Sequence, residues 1–143
     1  MINSILLVDD ESLFHLVFED ACSLLDIALN LESVSSADEA ERRFKRWMDA
    51  PQGKPDVVFV DLNIIGSSFN GIELIRKINY LYGNGVVIGI ISSSADREEM
   101  AKAASVGAQF WIVKSDEIEP RLEAFKEDYP NYVDRSAPFK AYR

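Results

Sequence analysis

The sequence predicts a doubly wound α/β fold, in which a five-stranded parallel sheet is covered by helices on both faces. Strand-like and helix-like segments alternate along the chain of 143 residues, as in parallel sheets built from strand–helix–strand units. Most of the strands are almost entirely apolar, which is typical of strands buried on both faces. A chain of this length is sufficient for one domain with a single hydrophobic core.

The alternation places five strands and five helices. The strands are expected at residues 4–8, 27–33, 57–60, 86–91 and 109–113, and the helices at 11–25, 37–49, 71–81, 96–105 and, more weakly, 118–128. The second strand alternates apolar and polar residues, so we expect it at an edge of the sheet. Residues 129–143 show no clear periodicity. The sequence therefore divides into a domain over 1–128 and a C-terminal tail over 129–143, which is either docked or partly mobile.

Local signals support these boundaries. An apolar stripe at helical spacing marks the first helix and comprises Phe14, Val17, Phe18, Ala21 and Leu25. Ser36 precedes two acids in the first turn of the second helix, where a hydroxyl cap and negative charge are both favourable. The breaker Pro51–Pro55 separates the second helix from the third strand, and Gly107 ends the fourth helix. Pro120 is expected to interrupt a short fifth helix.

Composition excludes several classes of function. The 24 acidic residues exceed the 15 lysines and arginines, and a net charge of -9 argues against direct binding to nucleic acid. Cys22 is the single cysteine, so no disulfide framework is expected, and its apolar helical setting predicts a buried small residue. There is no apolar run of membrane-spanning length and no secretory signal, so we expect a cytoplasmic protein without membrane insertion.

Acidic residues follow two of the apolar strands directly. Asp9 and Asp10 come after the first strand, and Asp61 ends the third. In open α/β sheets, ligands bind beyond the carboxyl ends of the strands, so these carboxylates should meet at one edge. They would repel one another unless a cation joined them. Oxygen ligands with open positions suit Mg²⁺, which also accepts phosphate oxygens. The sequence therefore predicts a site for Mg²⁺ and a phosphoryl group.

The two remaining interior strands end in groups that suit the same chemistry. The fourth strand runs into Ser92, Ser93 and Ser94, and the fifth ends in Trp111-Ile112-Val113-Lys114. Taken singly, each residue has an ordinary explanation, such as a solvated lysine or a hydroxyl that caps a turn. Their joint spacing on successive strands favours one site.

This set of residues resembles that of a bacterial response-regulator receiver domain, over roughly residues 3–128. The resemblance implies the flavodoxin-like strand order 2-1-3-4-5 for the sheet. It also implies that Asp61 accepts a phosphoryl group from a histidine kinase or a histidine phosphotransfer protein. Mg²⁺ would be bound by Asp10 directly, by Asp9 mostly through water, by Asp61, and by the backbone carbonyl of Asn63.

The same resemblance assigns roles to four further residues. Ser92, twenty-two residues before Lys114, occupies the switch hydroxyl position. Ser93 would offer its backbone N–H to the phosphoryl oxygens. Lys114 would pair with the phosphate, and Trp111 would move with the switch.

The expected function is that of a stand-alone, chemotaxis-receiver-like response regulator, which catalyses only its own phosphoryl transfer and dephosphorylation. A conformational switch would then signal to an unknown downstream protein. The alternative is a degenerate receiver that acts as a phosphorylation-independent interaction module. A magnesium-dependent phosphohydrolase is a third hypothesis, but Asn63 stands where such enzymes resembling the haloacid dehalogenase group place an aspartate.

Two features depart from the family pattern. The loop after Asp61 is longer and has Ile64-Ile65 in place of Met-Pro, so we expect it to be less rigid. Ser115 replaces the usual proline after Lys114, which predicts a trans peptide bond, because a cis bond before another residue costs about 2.5–4 kcal/mol.

The output face is expected on the fourth helix, fifth strand and fifth helix, near Met100, Trp111, Ile118 and Leu122. His15 is expected to be a plain rim histidine.

Overall fold

A computed structural model describes residues 2–143, and Met1 lies outside the described residues. These residues form six strands and five α-helices, with two short 3₁₀ turns at Pro51–Gly53 and Gly83–Gly85. In chain order the elements are β1 (Ile2–Val8), α1 (Ser12–Leu25), β2 (Ala28–Val34), α2 (Ala37–Asp49), β3 (Val57–Asp61), α3 (Gly71–Tyr82), β4 (Val87–Ser92), α4 (Arg97–Ser105), β5 (Phe110–Val113), α5 (Glu119–Val133) and β6 (Lys140–Tyr142).

The strands pair in the order β2-β1-β3-β4-β5-β6, and every pairing is parallel. The predicted doubly wound fold and the order 2-1-3-4-5 are therefore confirmed, with β2 at an edge as expected. The predicted number of five strands is wrong by one. Residues 140–142 add β6 beside β5, a strand too short to leave a readable period in the sequence.

The sheet separates two hydrophobic cores. Side chains of alternate strand residues point to opposite faces, so Leu6 packs under one helical layer and Leu7 under the other. On one face, α2, α3 and α4 cover a core that includes Phe44 and Trp111. On the other, α1 and α5 cover a cluster of aromatic rings centred on Phe125. The two layers hold the strands so that their carboxyl ends share one edge.

Side chains cap the helices on one face of the sheet. Ser36 Oγ accepts a hydrogen bond from the Glu39 N–H at 3.1 Å, as the sequence suggested, and Asn70 caps α3 in the same way. The fifth helix differs from the prediction. Pro120 lies in its first turn, where a missing N–H is tolerated, and does not interrupt it. The helix consequently continues to Val133.

The C-terminal residues dock on the body of the domain. Tyr142 is buried, and its hydroxyl donates to Asp128 Oδ2 at 2.6 Å and lies 2.8 Å from the Tyr132 hydroxyl. Phe139 and Ala141 pack against the opposite core beside α4. Residues 129–143 are therefore the end of α5, a turn and an edge strand.

This docking bears on the four residues named near the expected output face. The residues named for it are all buried, namely Met100, Trp111, Ile118 and Leu122. They are interior because the helices cover them and because β6 occupies the edge of β5 that would otherwise be open. The exposed surface on this side of the domain therefore consists of β6 and the outer surfaces of the helices.

Among residues 2–143, no helix is both long enough and apolar enough to cross a bilayer.

Candidate functional site

Four parallel strands bring the predicted site residues to one edge of the sheet. Asp61 is the last residue of β3 and Ser92 the last of β4, while Asp9 and Lys114 each follow the end of a strand. Strand register sets them side by side, since Val8 pairs with Val60 and Asp61 pairs with Ile91. The backbone N–H of Lys114 also donates to the Ser92 carbonyl at 2.8 Å. Side chains far apart in sequence therefore share one small region.

Three carboxylates form the centre of this region. One oxygen from each of Asp9, Asp10 and Asp61 lies within 4.8 Å of the others. Asp9 is fully buried and Asp61 nearly so, whereas Asp10 is partly exposed. Burying like charges together is unfavourable unless cations or hydrogen bonds compensate. The three carboxylates therefore need positive charge nearby to offset their mutual repulsion.

Lys114 supplies positive charge beside the carboxylates. Its ammonium lies 2.8 Å from Asp9 Oδ2, 3.2 Å from Glu11 Oε1 and 3.6 Å from Asp61 Oδ2. The same ammonium sits 4.5 Å from the centre of the Phe14 ring, within the range of a cation–π contact. Two of its carboxylate partners are mostly buried, so these ion pairs are less screened than surface pairs. One lysine nevertheless faces four carboxylates once Asp10 is included.

The environment shifts the pKa of both central groups. Burial raises the pKa of Asp61 to about 6, and the neighbouring charge of Asp9 adds to this, while Lys114 partly offsets it. Burial lowers the pKa of Lys114, but its hydrogen bond to Asp9 and the charge of Asp61 outweigh this, so the pKa lies above its ordinary value. Lys114 is therefore a permanent cation at neutral pH. A cation added beside Asp61 would favour its charged form.

The donor set fits a hard divalent metal ion. Asp9 Oδ1 accepts the Glu11 N–H at 2.8 Å, and the buried Asp9 Oδ2 lies 2.8 Å from the Lys114 ammonium. Carboxylate oxygens are the ligand type that Mg²⁺ and Ca²⁺ prefer. Asn63, whose carbonyl is a further predicted ligand, is exposed two residues after Asp61. Asp9, Asp10 and Asp61 could therefore hold a metal ion.

Gly71 fixes the backbone directly behind Asp61. A Cβ at this position would lie 2.2 Å from the Asp61 carbonyl oxygen and 3.0 Å from Val60 Cγ1. The Gly71 N–H also donates to the Leu62 carbonyl at 2.9 Å. The start of α3 therefore packs against the end of β3 at a distance that only glycine allows. This contact sets the direction in which Asp61 leaves the strand.

The long loop after Asp61 is fastened to the start of α2. Ser67 Oγ accepts the Ala37 N–H at 2.9 Å, and the Ser68 N–H donates to Asp38 Oδ2 at 2.9 Å. These two hydrogen bonds oppose the loss of rigidity expected from the sequence. The loop surrounds an open hollow of about 270 Å³ near Asp61, with Ile64 buried and Ile65 exposed at its rim.

The switch candidates lie beside the site. Ser92 is buried, and its Oγ accepts the Ser94 N–H at 3.2 Å. Trp111 has no exposed surface, and its indole N–H donates to the Ser94 carbonyl at 2.8 Å. Ser92 and Trp111 are thus joined through the backbone of Ser94. Ser93 is exposed on the same loop, with its backbone N–H at the carboxyl edge of β4.

The peptide bond between Lys114 and Ser115 is trans, as are all others in the described residues. This agrees with the prediction made from Ser115. Ser115 Oγ accepts hydrogen bonds from the Glu117 N–H at 3.2 Å and from Arg121 Nη1 at 2.7 Å. Ser115 therefore organises the β5–α5 connection through its side chain.

Sequence reasoning assigned no site role to three residues that the structure places there. Glu11 and Phe14 hold the Lys114 ammonium, and His15 Nε2 lies 2.5 Å from the Asp9 carbonyl oxygen. The sequence signals only their position, in the segment directly after the acid pair, and not the direction of their side chains. His15 is partly buried at the rim of the site, as predicted, and its ring also contacts the backbone of Asp9.

Comparisons with known proteins identify the family. The model for the response regulator receiver domain matches residues 5–124, so the chain belongs to the receiver-domain family of two-component response regulators. No match to a curated protein was found for this sequence.

Solved structures agree with this family. A two-component response regulator from Cytophaga hutchinsonii is 23% identical with a TM-score of 0.78, covering 93% of this chain and 98% of that one. A response regulator from Burkholderia pseudomallei, solved with a phosphorylated aspartic acid, a calcium ion and citrate, is 19% identical, has a TM-score of 0.68 and covers 94% and 73%. The receiver domain of a modulated diguanylate cyclase from Desulfovibrio desulfuricans G20 is 20% identical, has a TM-score of 0.65 and covers 95% and 94%.

Proposed function

We propose that this receiver domain accepts a phosphoryl group on Asp61 from a phosphohistidine of a histidine kinase or a histidine phosphotransfer protein. The observation that carries the proposal is the meeting of Asp9, Asp10 and Asp61 with Lys114 at one sheet edge. The Burkholderia structure, which contains a phosphorylated aspartic acid, a calcium ion and citrate, supports it by analogy.

In this proposal Asp61 Oδ attacks phosphorus in line with the leaving imidazole nitrogen. The P–N bond breaks, a P–O bond forms, and the released imidazole takes up a proton from solvent. Catalysis of phosphoryl transfer is mainly a matter of position and charge. Gly71 sets the position of Asp61, and Lys114 lies close enough to offset charge on the transferred oxygens.

Mg²⁺ would be held by Asp9, Asp10, Asp61 and the Asn63 carbonyl, and when bound it would supply positive charge that offsets the negative charge of the carboxylates and of the transferred phosphoryl group. Ser92 Oγ then exchanges its contact with the Ser94 N–H for one with a phosphoryl oxygen. The exposed Ser93 N–H offers a second donor. Because these contacts form in only one of the two conformations of the loop, phosphorylation shifts the equilibrium between those conformations.

A protein donor has a suitable surface on which to dock. Leu13 and Leu16 are exposed on the first turns of α1, and Ile65 is exposed in the loop after Asp61. Both segments begin at the carboxyl edge that carries the site. Exposed apolar side chains around an active group mark a place for protein contact. We therefore propose that the phosphoryl donor docks on this surface. We also propose that the output is a contact with a downstream protein and that the protein works in the cytoplasm.

The proposal is tested by incubating the protein with acetyl phosphate and Mg²⁺ and measuring its mass. We expect a labile phosphoryl adduct that is absent from Asp61→Asn, and whose formation requires Mg²⁺. Asp10→Ala should lose the metal-dependent adduct while keeping the fold, since it removes a ligand from the surface of the cluster. Equal labelling of Asp10→Ala and the wild type would refute the metal assignment.

Two other outcomes identify the alternative functions. If Mg²⁺ does not bind and neither acetyl phosphate nor a phosphorylated donor protein modifies Asp61, the chain is a degenerate receiver that acts as an interaction module. Steady turnover of a small phosphomonoester would identify a phosphohydrolase. A receiver forms its adduct once and loses it slowly, so a single-turnover time course separates these cases.

A further inference from the structure

An apolar groove lies between α2 and α3, away from the carboxylate cluster. We define the α2–α3 groove by the residues that line it, which are Glu41, Lys45, Arg76, Lys77, Tyr80 and Leu81. It encloses about 370 Å³ and is open to solvent along one side. Tyr80 is 90% exposed at its edge, and Met48 on the adjoining helix is 52% exposed. Large side chains exposed next to a concave surface are typical of binding sites.

The charge around this groove differs from that of the rest of the chain. The two helices carry six of the 15 lysines and arginines, four on α2 and two on α3, against five acids. This leaves nine cations and nineteen of the 24 acids elsewhere. The two helices therefore carry a net charge of about +1 in a protein whose net charge is -9, and the groove itself is lined by Lys45, Arg76 and Lys77 against Glu41.

Some of these cations have no acidic partner of their own. Glu41 is shared between Lys45 at 4.0 Å and Lys77 at 3.2 Å, and Arg76 pairs with Glu73. Arg42 and Arg46 lie outside the groove and line a second hollow with Glu39 and Lys45, and Lys45 lines both. Both arginines are exposed one helical turn apart on α2, and neither forms a close ion pair within the described chain, although the charge of Arg42 acts on Asp38. Two unpaired guanidinium groups on one helix face can each receive a carboxylate in bidentate geometry.

We propose that the α2–α3 groove binds an acidic segment of a partner protein, with an aliphatic or aromatic side chain as its anchor. The anchor would lie on Tyr80 and Leu81, and the segment would cross α2 at Lys45, so that its carboxylates pair with Arg42 and Arg46 in the neighbouring hollow. A long polyanion fits less well, because Glu39, Glu41 and Glu73 lie among the cations and would repel it. This surface remains open while β6 covers the edge of β5.

The probe for the test is a displayed library of random peptides, selected on the full-length protein. We expect the selected peptides to combine aspartate or glutamate with leucine, phenylalanine, tyrosine or tryptophan. Binding of a synthesised peptide should weaken by about tenfold or more in Arg42→Glu/Arg46→Glu. Tyr80→Ala should weaken it independently, which addresses the anchor rather than the charge.

The matched control is Arg97→Glu/Lys102→Glu, which makes the same change in charge on the exposed surface of α4. This variant should bind the peptide as the wild type does. All variants should keep their thermal midpoint and their labelling by acetyl phosphate, so failure of this proposal is distinguishable from failure of the phosphorylation proposal. The variants are fit for the test because Arg42, Arg46 and Tyr80 are all exposed.

Several results would overturn the proposal. These are selection of no peptide, selection of non-acidic peptides, or equal binding by the wild type and Arg42→Glu/Arg46→Glu. Binding to phosphatidylserine vesicles that the double variant abolishes, without peptide binding, would assign the face to a membrane surface. Self-association that the variant abolishes in sedimentation would assign it to a second copy of the chain.

Discussion

Lys114 lies closer to Asp9 than to Asp61, with its ammonium 2.8 Å from Asp9 Oδ2 and 3.6 Å from Asp61 Oδ2. A third carboxylate, Glu11, holds it at 3.2 Å from the solvent side. The lysine is thus kept beside the proposed phosphoacceptor by groups that compete for it. A phosphoryl group on Asp61 would shift that competition, because it places additional negative charge within reach of the ammonium.

The role of Glu11 can be tested with Glu11→Gln. Removing this competitor should let Lys114 turn towards the phosphoryl oxygens and lengthen the lifetime of the adduct. Glu11 is largely exposed, and exposed ion pairs contribute about 0.2–1 kcal/mol, so we expect an increase of up to about fivefold. The decay of the adduct is followed by mass spectrometry. Glu19→Gln, on the exposed surface of α1, is the control, and equal lifetimes for the two variants would contradict the prediction.

The buried charge of Asp61 should make stability depend on pH when no metal is present. The pKa of Asp61 is raised from 3.8 to about 6 in the folded chain, so the folded state binds more protons than the unfolded state between these values. Stability therefore falls as the pH rises through this window and stays reduced above it. The shift corresponds to at most about 3 kcal/mol.

Asp61→Asn removes this effect. At about pH 7.5 in chelator, where the wild-type carboxylate is charged, the variant should unfold at a higher urea concentration than the wild type. The difference should vanish near the ordinary pKa of aspartate, at about pH 4. Added Mg²⁺ should stabilise the wild type more than the variant. Asp20→Asn, an exposed change on α1, serves as the control, and a pH-independent difference would contradict the assignment.

The close packing of Gly71 predicts a large effect from a single methyl group. In Gly71→Ala the Cβ would meet the Asp61 carbonyl oxygen at 2.2 Å, so the backbone of β3 or α3 must shift. We expect a loss of about 1–3 kcal/mol in unfolding free energy and slower labelling of Asp61. Gly85→Ala is the comparison, because its Cβ would meet mainly the flexible end of Lys54 at 3.2 Å. Similar unfolding curves for the two variants would show that the close contact between Gly71 and Asp61 does not constrain the residue at position 71.

The sequence predicted most of the fold because long apolar runs and helix caps are local signals. The strand β4 and the cap at Ser36 are examples. The carboxylates of Asp9 and Asp61 were predicted to meet because each ends a parallel strand. The strand β6 was missed because its three residues are held by long-range contacts, such as the one between Tyr142 and Asp128. The pairing of Lys114 with Glu11 was missed because side-chain direction leaves no mark in residue spacing.

The contribution of β6 to stability can be measured at Tyr142. Tyr142→Phe keeps the ring in the core but removes the hydroxyl that donates to Asp128 and contacts Tyr132. Because these polar groups lose a partner in a mostly buried setting, we expect a loss of about 1–3 kcal/mol in unfolding free energy. Tyr80→Phe is the matched control, since Tyr80 is 90% exposed. No difference between the two variants would mean that β6 is only weakly held.

The last prediction concerns the switch between Ser92 and Trp111. Both are tied to Ser94, since Ser92 Oγ accepts its N–H and the Trp111 indole donates to its carbonyl. When Ser92 turns to a phosphoryl oxygen, the first of these bonds is lost and the loop that holds the indole should move. A hydrogen bond to a charged acceptor contributes about 1.5–3 kcal/mol, which is enough to shift a poised equilibrium by about one to two powers of ten.

Intrinsic fluorescence reports this movement, because Trp47 and Trp111 are the two tryptophans of the chain. In a Trp47→Phe background, beryllofluoride with Mg²⁺ should change the emission of the fully buried Trp111. Ser92→Ala should still accept the phosphoryl group but lose most of the spectral change, whereas Ser92→Thr, which keeps the hydroxyl, should retain it. The indole of Trp111 is hydrogen-bonded to the Ser94 carbonyl, so a movement of that loop must change the surroundings of the ring. An unchanged spectrum with Asp61 demonstrably phosphorylated would therefore show that the signal does not pass through Trp111.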